Sequence, residues 1–309
     1  LLRSFFIGLS TNKAFRAFSE RSTIGRRVSR RFIAGMSVDE AIAAAAALNA
    51  EGIDVTLDAL GESVLHVSQA EESAAVYHQL LDAIQARNLR ANVSVKLTQV
   101  GMDIGGPGAG PALAERIVGD MVGHAARFGS FVRIDMEGSE YTEPTIAMTE
   151  RLHQLYPGAV GTVLQAYLFR TQQDVHRLLK QGIRIRFCKG AYKEPAEIAF
   201  PDKADVDQNY VTLAKTLVSS PVFCGIATHD ETIINTLRDF VAENAIDKQA
   251  FEFQMLYGIR RDLQRKLVAE GFRLRVYVPF GPEWYPYFMR RLAERPANVL
   301  FLARNFFKS

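Results

Sequence analysis

From about residue 53 onward the chain alternates short runs rich in β-branched and aromatic residues with longer stretches whose apolar positions recur at helical spacing. Eight such runs stand out, at 53–58, 91–96, 131–136, 161–165, 183–188, 222–228, 251–255 and 274–278. Runs of this length separated by amphipathic stretches predict parallel strands joined by crossover helices. Their starts lie about 32 residues apart on average, which suits the ~250 residues that eight strand-helix units occupy. The predicted fold is therefore α/β, a (β/α)8 TIM-like barrel. An open doubly wound sheet would instead place a glycine fingerprint directly after its first strand. Here Ala59, Leu60 and Gly61 follow that run. The glycine-rich stretch 105–110 comes after the second run with unsuitable spacing, and reads as a mobile loop over the barrel mouth rather than a phosphate cradle.

Residues 1–50 precede the barrel as a predicted helical arm, and 51–309 form the catalytic barrel. Ser37 is placed to cap a helix, with Glu40 three residues later to complete a capping box, and an alanine-rich run follows from Ala41. The overall charge of +3 hides an asymmetry: residues 1–31 carry eight basic side chains and one acidic, so this stretch is at +7 and the rest of the chain at −4. Such an arm is a candidate for touching anionic lipid, against the plainer reading of a solvated basic helix. Hydrophobic residues at 48% and charged residues at 23% exclude disordered and low-complexity classes. Two cysteines, Cys188 and Cys224, both lie in apolar runs. They are expected to be buried free thiols, which points to a reducing compartment. No apolar stretch approaches the ~18–20 residues of a membrane span. The expected location is cytoplasmic, with the arm as a possible peripheral contact at the inner face of the membrane. Residue 1 is Leu rather than Met, which leaves flanking segments open.

In barrels of this kind working groups gather at the C-terminal ends of the strands. Polar residues do cluster there: Asp58, Lys96, Asp135, Gln165, Arg186 with Lys189, Thr228 with His229, and Tyr277. Two carboxylates, two lysines and an arginine at one barrel end suit an anionic ligand better than a stability device, because unpaired buried charge is costly. A catalytic metal is not expected, since only His229 of the six histidines ends a strand. A lysine nucleophile stays open: Lys96 or Lys189 would form an imine if its pKa were lowered, the chemistry of a barrel aldolase or lyase. Against this, Arg186 and Lys189 stand together in RFCKGAY, where Gly190 allows close backbone approach, an arrangement suited to clasping phosphate or a redox ring.

The last predicted helix, WYPYFMRRLAERPAN at 284–298, is the most informative segment. At about 100° per residue, Tyr287, Arg290, Arg291 and Glu294 share one arc roughly 100° wide. A solvated face is the plain alternative. However, a basic residue four before an acidic one is the poorer order for a helix pair, and Glu294 faces the unfavourable end of the dipole. Two guanidiniums, a carboxylate and a phenol ring together suit an amino acid, with fork contacts to its carboxylate and an acceptor for its amine.

Six ordered motifs now carry a resemblance: VSVKL at 93–97, RIDMEGS at 133–139, RFCKGAY at 186–192, ATHD at 227–230, FEFQMLYG at 251–258 and YFMRRLAE at 287–294. From about residue 50 onward the chain resembles the proline dehydrogenases, flavin enzymes that oxidise L-proline to Δ1-pyrroline-5-carboxylate. The resemblance implies a (β/α)8 barrel variant with FAD at the strand C-termini and no dinucleotide-binding domain. It implies that Arg290 and Arg291 grip the proline carboxylate with help from Lys96, while Glu294 orients Arg290 and faces the amine. Tyr192, Leu256, Tyr277 and Tyr287 would wall in the proline ring. Asp135 would support the site from beneath through the lysine and tyrosine. Arg186 would lie beside the reactive flavin nitrogen, where fixed positive charge favours the reduced ring. Met136, Gln165, Lys189, Gly190, Ala191, Thr228 and His229 would hold the flavin and its phosphates. Family members often show Asn where this chain has Asp230, so that position is left out of the site.

The implied reaction is hydride transfer from the ring carbon beside the amine to the flavin, followed by delivery of electrons to a membrane quinone or another acceptor. At 309 residues there is no room for the aldehyde dehydrogenase domain fused to some relatives. The product is therefore expected to pass to a separate pyrroline-5-carboxylate dehydrogenase, and no nucleic-acid partner is implied. Two other readings remain at this point: the imine-forming lyase, and a non-catalytic basic binding module.

Overall fold

The computed structural model describes residues 31–106, 108–285, 287 and 289. The eight predicted runs are its eight strands: β1 (Asp54–Ala59), β2 (Ala91–Val95), β3 (Val132–Ile134), β4 (Val160–Gln165), β5 (Arg184–Cys188), β6 (Gly225–Ala227), β7 (Glu252–Leu256) and β8 (Arg273–Phe280). Each pairs in parallel with the next, and β8 returns to β1 through a register running from Asp54↔Arg275 to Ala59↔Phe280, which closes the barrel. The sixth strand is shorter than expected, with Val222 and Cys224 lying before it. Cys224 is a buried free thiol, whereas Cys188 is only partly buried, which corrects the expectation that both are buried.

Helix α1 (Val38–Ala50) precedes the barrel, and α2 (Val67–Ala86), α3 (Ala109–Arg127), α4 (Thr142–Leu155), α5 (Thr171–Lys180), α6 (Lys203–Val218), α7 (Glu231–Glu243) and α8 (Arg261–Ala269) are the crossovers. Ser37 Oγ caps α1 by accepting from the Glu40 amide at 3.3 Å. The Glu40 carboxylate accepts from the Met36 amide at 2.7 Å, one residue before the cap, so the capping box closes a step early. Ala41, Ile42 and Ala45 bury the inner face of α1 against β1 and β8. The stretch 105–110 is not wholly loop, since α3 already begins at Ala109 and Gly110 is buried within it. Among the described residues no helix is long and apolar enough to cross a membrane.

Successive strand residues point to opposite sides, and here the two sides differ in kind. Val55, Leu57, Val93, Val95, Val132, Ile134, Ile185, Phe187 and Val276 are completely buried and face the helices. Phe187, for example, stacks on Tyr210 of α6 at 4.7 Å. The alternate residues fill the barrel with polar groups, where branched apolar layers are usual. Thr56 Oγ1 donates to Asn92 Oδ1 at 2.7 Å, and Arg275 reaches Asn92 Oδ1 at 2.9 Å and Glu252 Oε1 at 2.7 Å. At the closed end Asp54 meets Arg90, Arg273 and Arg275 at 2.9, 3.2 and 3.4 Å. Buried polar groups are tolerated when they pair, and this interior pairs most of them from strand to strand, with Arg133 Nε and Glu252 Oε2 left without a hydrogen bond.

Candidate active site

A cavity of about 620 Å³ opens at the C-terminal ends of the strands. It brings together Lys96, Asp135, Met136, Gln165, Arg186, Lys189, Gly190, Ala191, Tyr192, Thr228, His229, Leu256 and Tyr277, thirteen of the residues expected from sequence. Tyr287 is buried, and its phenol adds to the charges that raise the Tyr277 pKa. Arg290, Arg291 and Glu294 lie outside the described residues.

Arg186 forms the cavity floor, with a side chain held from four directions. Its Nε donates to Gln254 Oε1 at 2.7 Å, and its Nη1 to Asp135 Oδ1 at 2.7 Å and Ser94 Oγ at 3.2 Å. Nη2 reaches Thr56 Oγ1 at 3.4 Å, and the guanidinium lies 5.0 Å from the Tyr277 ring centroid. Asp135 is the hub, since it also accepts from Ser94 Oγ at 2.6 Å and from the Tyr277 hydroxyl at 2.8 Å. Burial, then the nearby Asp135 and Asp58 carboxylates, push the Tyr277 pKa well up, which keeps it a phenol donor.

The lysine expected over Asp135 is paired elsewhere. Lys96 Nζ meets the fully buried Asp58 at 3.3 Å, a residue that the sequence reading placed at the strand end but not in the site. Burial opposes the ammonium form of Lys96, but Asp58, Asp135, Glu62 and Glu137 outweigh it and raise the pKa. An imine-forming amine needs the opposite shift, so Lys96 does not suit the lyase reading. Lys189 lines the cavity and sits between Asp207 at 2.5 Å and Asp230 at 2.9 Å. Asp230, left out on sequence, lines the cavity and caps α7 by accepting from the Thr232 amide at 3.2 Å. His229 Nε2 accepts from the Leu256 amide at 2.9 Å, which fixes the ring between β6 and β7.

Thr56, Ser94 and Gln254 also belong to the site, and the sequence carries a signal for two of them: Thr56 and Ser94 stand two residues before Asp58 and Lys96, on the same face by the two-residue period. Asp207 on α6 had no such signal. Among the described residues no group of three or more His, Cys, Asp or Glu side chains is arranged to hold a metal ion.

The cavity suits a flavin ring system. Its volume falls in the ordinary range for ligand sites, with Met136, Val163, Met255 and Leu256 as apolar walls and Gln165, Arg186, Lys189, Thr228 and His229 as polar groups. Gly190 is a cradle: its φ is +119°, and a Cβ there would come within 2.4 Å of the Tyr167 ring. The backbone at 189–191 thus borders the cavity where a larger residue would not fit.

A model of the proline dehydrogenase family matches residues 41–304. The proline dehydrogenase of Deinococcus radiodurans is 43% identical over 284 residues, covering 91% of this chain and 90% of that protein. Proline dehydrogenase 1 of Bacillus subtilis is 38% identical over 309 residues, 100% of both chains. A solved structure of proline utilization A (PutA) from Bdellovibrio bacteriovorus, inactivated by N-propargylglycine, matches with a TM-score of 0.80 at 25% identity, covering 87% of this chain and 32% of that chain. On the fold, the ordered motifs and this extent of similarity, the chain belongs to the proline dehydrogenase family of flavin-dependent enzymes of proline catabolism.

Proposed function

We propose that the protein oxidises L-proline to Δ1-pyrroline-5-carboxylate by hydride transfer to FAD held at the C-terminal ends of the strands, with residues 1–50 as an arm and 51–309 as the catalytic barrel. The observation that carries the residue-level reading is the fixed guanidinium of Arg186 on the cavity floor, preorganised by Gln254, Asp135, Ser94 and Thr56. Preorganised charge of this kind acts where negative charge develops. FAD, when bound, supplies the acceptor for the hydride of the ring carbon beside the amine. Met136, Gln165, Lys189, Gly190, Ala191, Thr228 and His229 would hold it, with Asp207 and Asp230 keeping Lys189 in place.

Lys96 would face the substrate carboxylate as a full positive charge, and Tyr192, Leu256, Tyr277 and Tyr287 would enclose the ring. Arg290 and Arg291 complete the carboxylate clamp on this reading, with Glu294 orienting Arg290. The amine must lose its proton before hydride departs. Lys96 does not serve as that base, because the surrounding carboxylates keep it protonated. Asp135 acts through Arg186 and Tyr277, its bonded partners. The electrons would pass to a quinone-type acceptor at a membrane, with residues 1–31, at +7, as the lipid contact, and the product to a separate pyrroline-5-carboxylate dehydrogenase.

The test is anaerobic addition of L-proline to the purified flavoprotein. Bleaching of the flavin is expected, and it should slow strongly in Arg186→Lys, which keeps charge but loses the planar fork that meets four acceptors. Flavin that stays oxidised in excess proline overturns the reaction. Wild-type bleaching in the variant overturns the role of Arg186.

A further inference from the structure

The loop leaving β5 carries Tyr192 over the cavity, and it is tied down by contacts that the reaction as described above does not use. Its two ends are held to the loop after β4: the Tyr167 amide donates to Lys189 O at 2.9 Å, Phe169 N to Ile198 O at 3.0 Å and Phe200 N to Tyr167 O at 2.8 Å. The middle is held differently. Glu194 accepts from the Ser139 amide at 2.9 Å, the Ser139 hydroxyl at 2.6 Å and the Tyr167 hydroxyl at 3.3 Å. A single carboxylate therefore links the loops that follow β3, β4 and β5; the first carries Met136, the second follows directly on Gln165, and the third carries residues 189–192 of the cavity wall.

Tyr192 lies two residues from that carboxylate and is 43% exposed, so packing fixes it only in part, although burial raises its pKa. Tyr167 braces the same span from both sides. Its ring closes over Gly190, where a Cβ would approach to 2.4 Å, and its hydroxyl reaches Glu194. Burial, with Glu194 beside it, raises the Tyr167 pKa, so this hydroxyl stays a donor. The bonds to Glu194 are charge-assisted, roughly twice as strong as neutral ones.

We propose that Glu194 is a positioning residue for proline oxidation: as a clasp between Ser139 and Tyr167, it holds Tyr192 in place as the outer wall of the substrate pocket. The proposal rests on the reading of Tyr192 as a substrate wall. Glu194 itself lies outside the lining of the cavity and acts through its neighbour. An amide at this position has one acceptor oxygen where three donors converge. Glu194→Gln therefore releases the middle of the loop while leaving both of its ends tied.

The experiment uses the flavin-loaded enzyme and four proteins: wild type, Glu194→Gln, Tyr192→Ala and the double variant. For Glu194→Gln the KM for proline should rise roughly tenfold, the low end of what losing a charge-assisted hydrogen bond brings, with kcat and melting temperature close to wild type. Trypsin should cut after Lys193 faster in this variant than in wild type, and a carboxylate-bearing ring inhibitor should slow that cut. If the clasp works through Tyr192, adding Glu194→Gln to Tyr192→Ala should leave KM where Tyr192→Ala alone puts it. An unchanged KM or an unchanged cleavage rate in Glu194→Gln overturns the proposal, as do additive effects in the double variant. If Tyr192→Ala itself leaves KM untouched, the reading of Tyr192 as a substrate wall fails. If Tyr192→Ala raises KM while Glu194→Gln does not, only the clasp fails.

Discussion

The two faces of the barrel strands obey different rules, though they are made from alternating residues of the same segments. The outer face, with Val55, Leu57, Val93, Val95, Ile185, Phe187 and Val276, is completely buried and apolar, and holds the helices by area removed from water. The inner face is a chain of hydrogen bonds, running from Asp54 through Arg275, Asn92 and Thr56 to Arg186 and Asp135. An apolar layer tolerates substitution when volume is kept. A buried polar chain does not, because each removed partner leaves another group unsatisfied. The outer face therefore contributes stability alone, whereas the inner face contributes stability and also aims the groups at the mouth.

The largest expected effect comes from breaking the inner chain at its hub. Asp135→Ala leaves the Arg186 guanidinium without its carboxylate, and strips Ser94 and Tyr277 of their acceptor. Removing one partner of a buried ion pair costs about 3–5 kcal/mol. Both thermal stability and the rate of flavin reduction by proline should fall, the rate more than about 100-fold if most of that energy is felt at the transition state. Stopped-flow reduction and thermal melts measure the two losses, and a wild-type rate would show that Arg186 does not need its carboxylate.

Phe187→Ala is the matching change on the outer face. The ring is fully buried against Tyr210, so the loss should be about 3–5 kcal/mol of stability. The flanking residues Arg186 and Cys188 point the other way, and kcat per folded molecule should stay near wild type below the melting transition. A collapse of kcat in the folded variant would mean that the two faces are not separable.

Gly190→Ala probes the rim, where the faces meet. A φ of +119° is unfavourable for alanine, and the new Cβ would press on the Tyr167 ring. The backbone term is about 1–3 kcal/mol. Flavin occupancy in the purified variant should drop, together with a modest fall in melting temperature. Full occupancy would mean that the 189–191 backbone does not approach the cofactor.

How much of this was legible in the sequence follows the same division. The strands were readable because their outer faces are continuous in character: Val55 and Leu57, or Ile185 and Phe187, mark a strand at every second position. The site was readable where a polar residue ends a strand, as with Lys96, Asp135, Arg186 and Tyr277. What escaped was the pairing. Nothing local says that Lys96 meets Asp58 rather than Asp135, because that depends on which neighbours closure of the barrel brings together. Lys189 stands close to Arg186 in the sequence, but nothing local announces Asp207, which approaches it from a helix 18 residues away. Asp230 was set aside by comparison with relatives, although its capping position before α7 already fixed it near the mouth. Thr56 and Ser94 are legible through the two-residue period that starts from Asp58 and Lys96, whereas Gln254 depends on the pairing of β7 with its neighbours.

The smallest effect lies outermost, between two helices rather than within the barrel. His78 of α2 and His124 of α3 stack with ring centroids 4.9 Å apart and bring their Nδ1 atoms to 2.7 Å. Only one of these nitrogens can carry a proton toward the other. His124 Nε2 also meets Asp82 of α2 at 2.9 Å, which holds this ring against the neighbouring helix. Partial burial lowers the His78 pKa, and His124 and Arg127 push it the same way against the opposing pull of Asp120 and Asp82. A histidine whose pKa is lower folded than unfolded takes up protons on unfolding. Its contribution is therefore fully present above the unfolded value near 6.5, and is lost as pH falls through that value toward the folded one. The group is half-exposed, so solvent screening keeps the effect small. Melting temperature should decline gently between about pH 7.5 and about pH 5.5, above the range where carboxylates add their own losses. In His78→Gln that decline should flatten, because glutamine keeps a donor for His124 and does not titrate. Parallel slopes in the two proteins would show that this pair stays neutral across the window, and that the outer layer is as indifferent to pH as its apolar contacts.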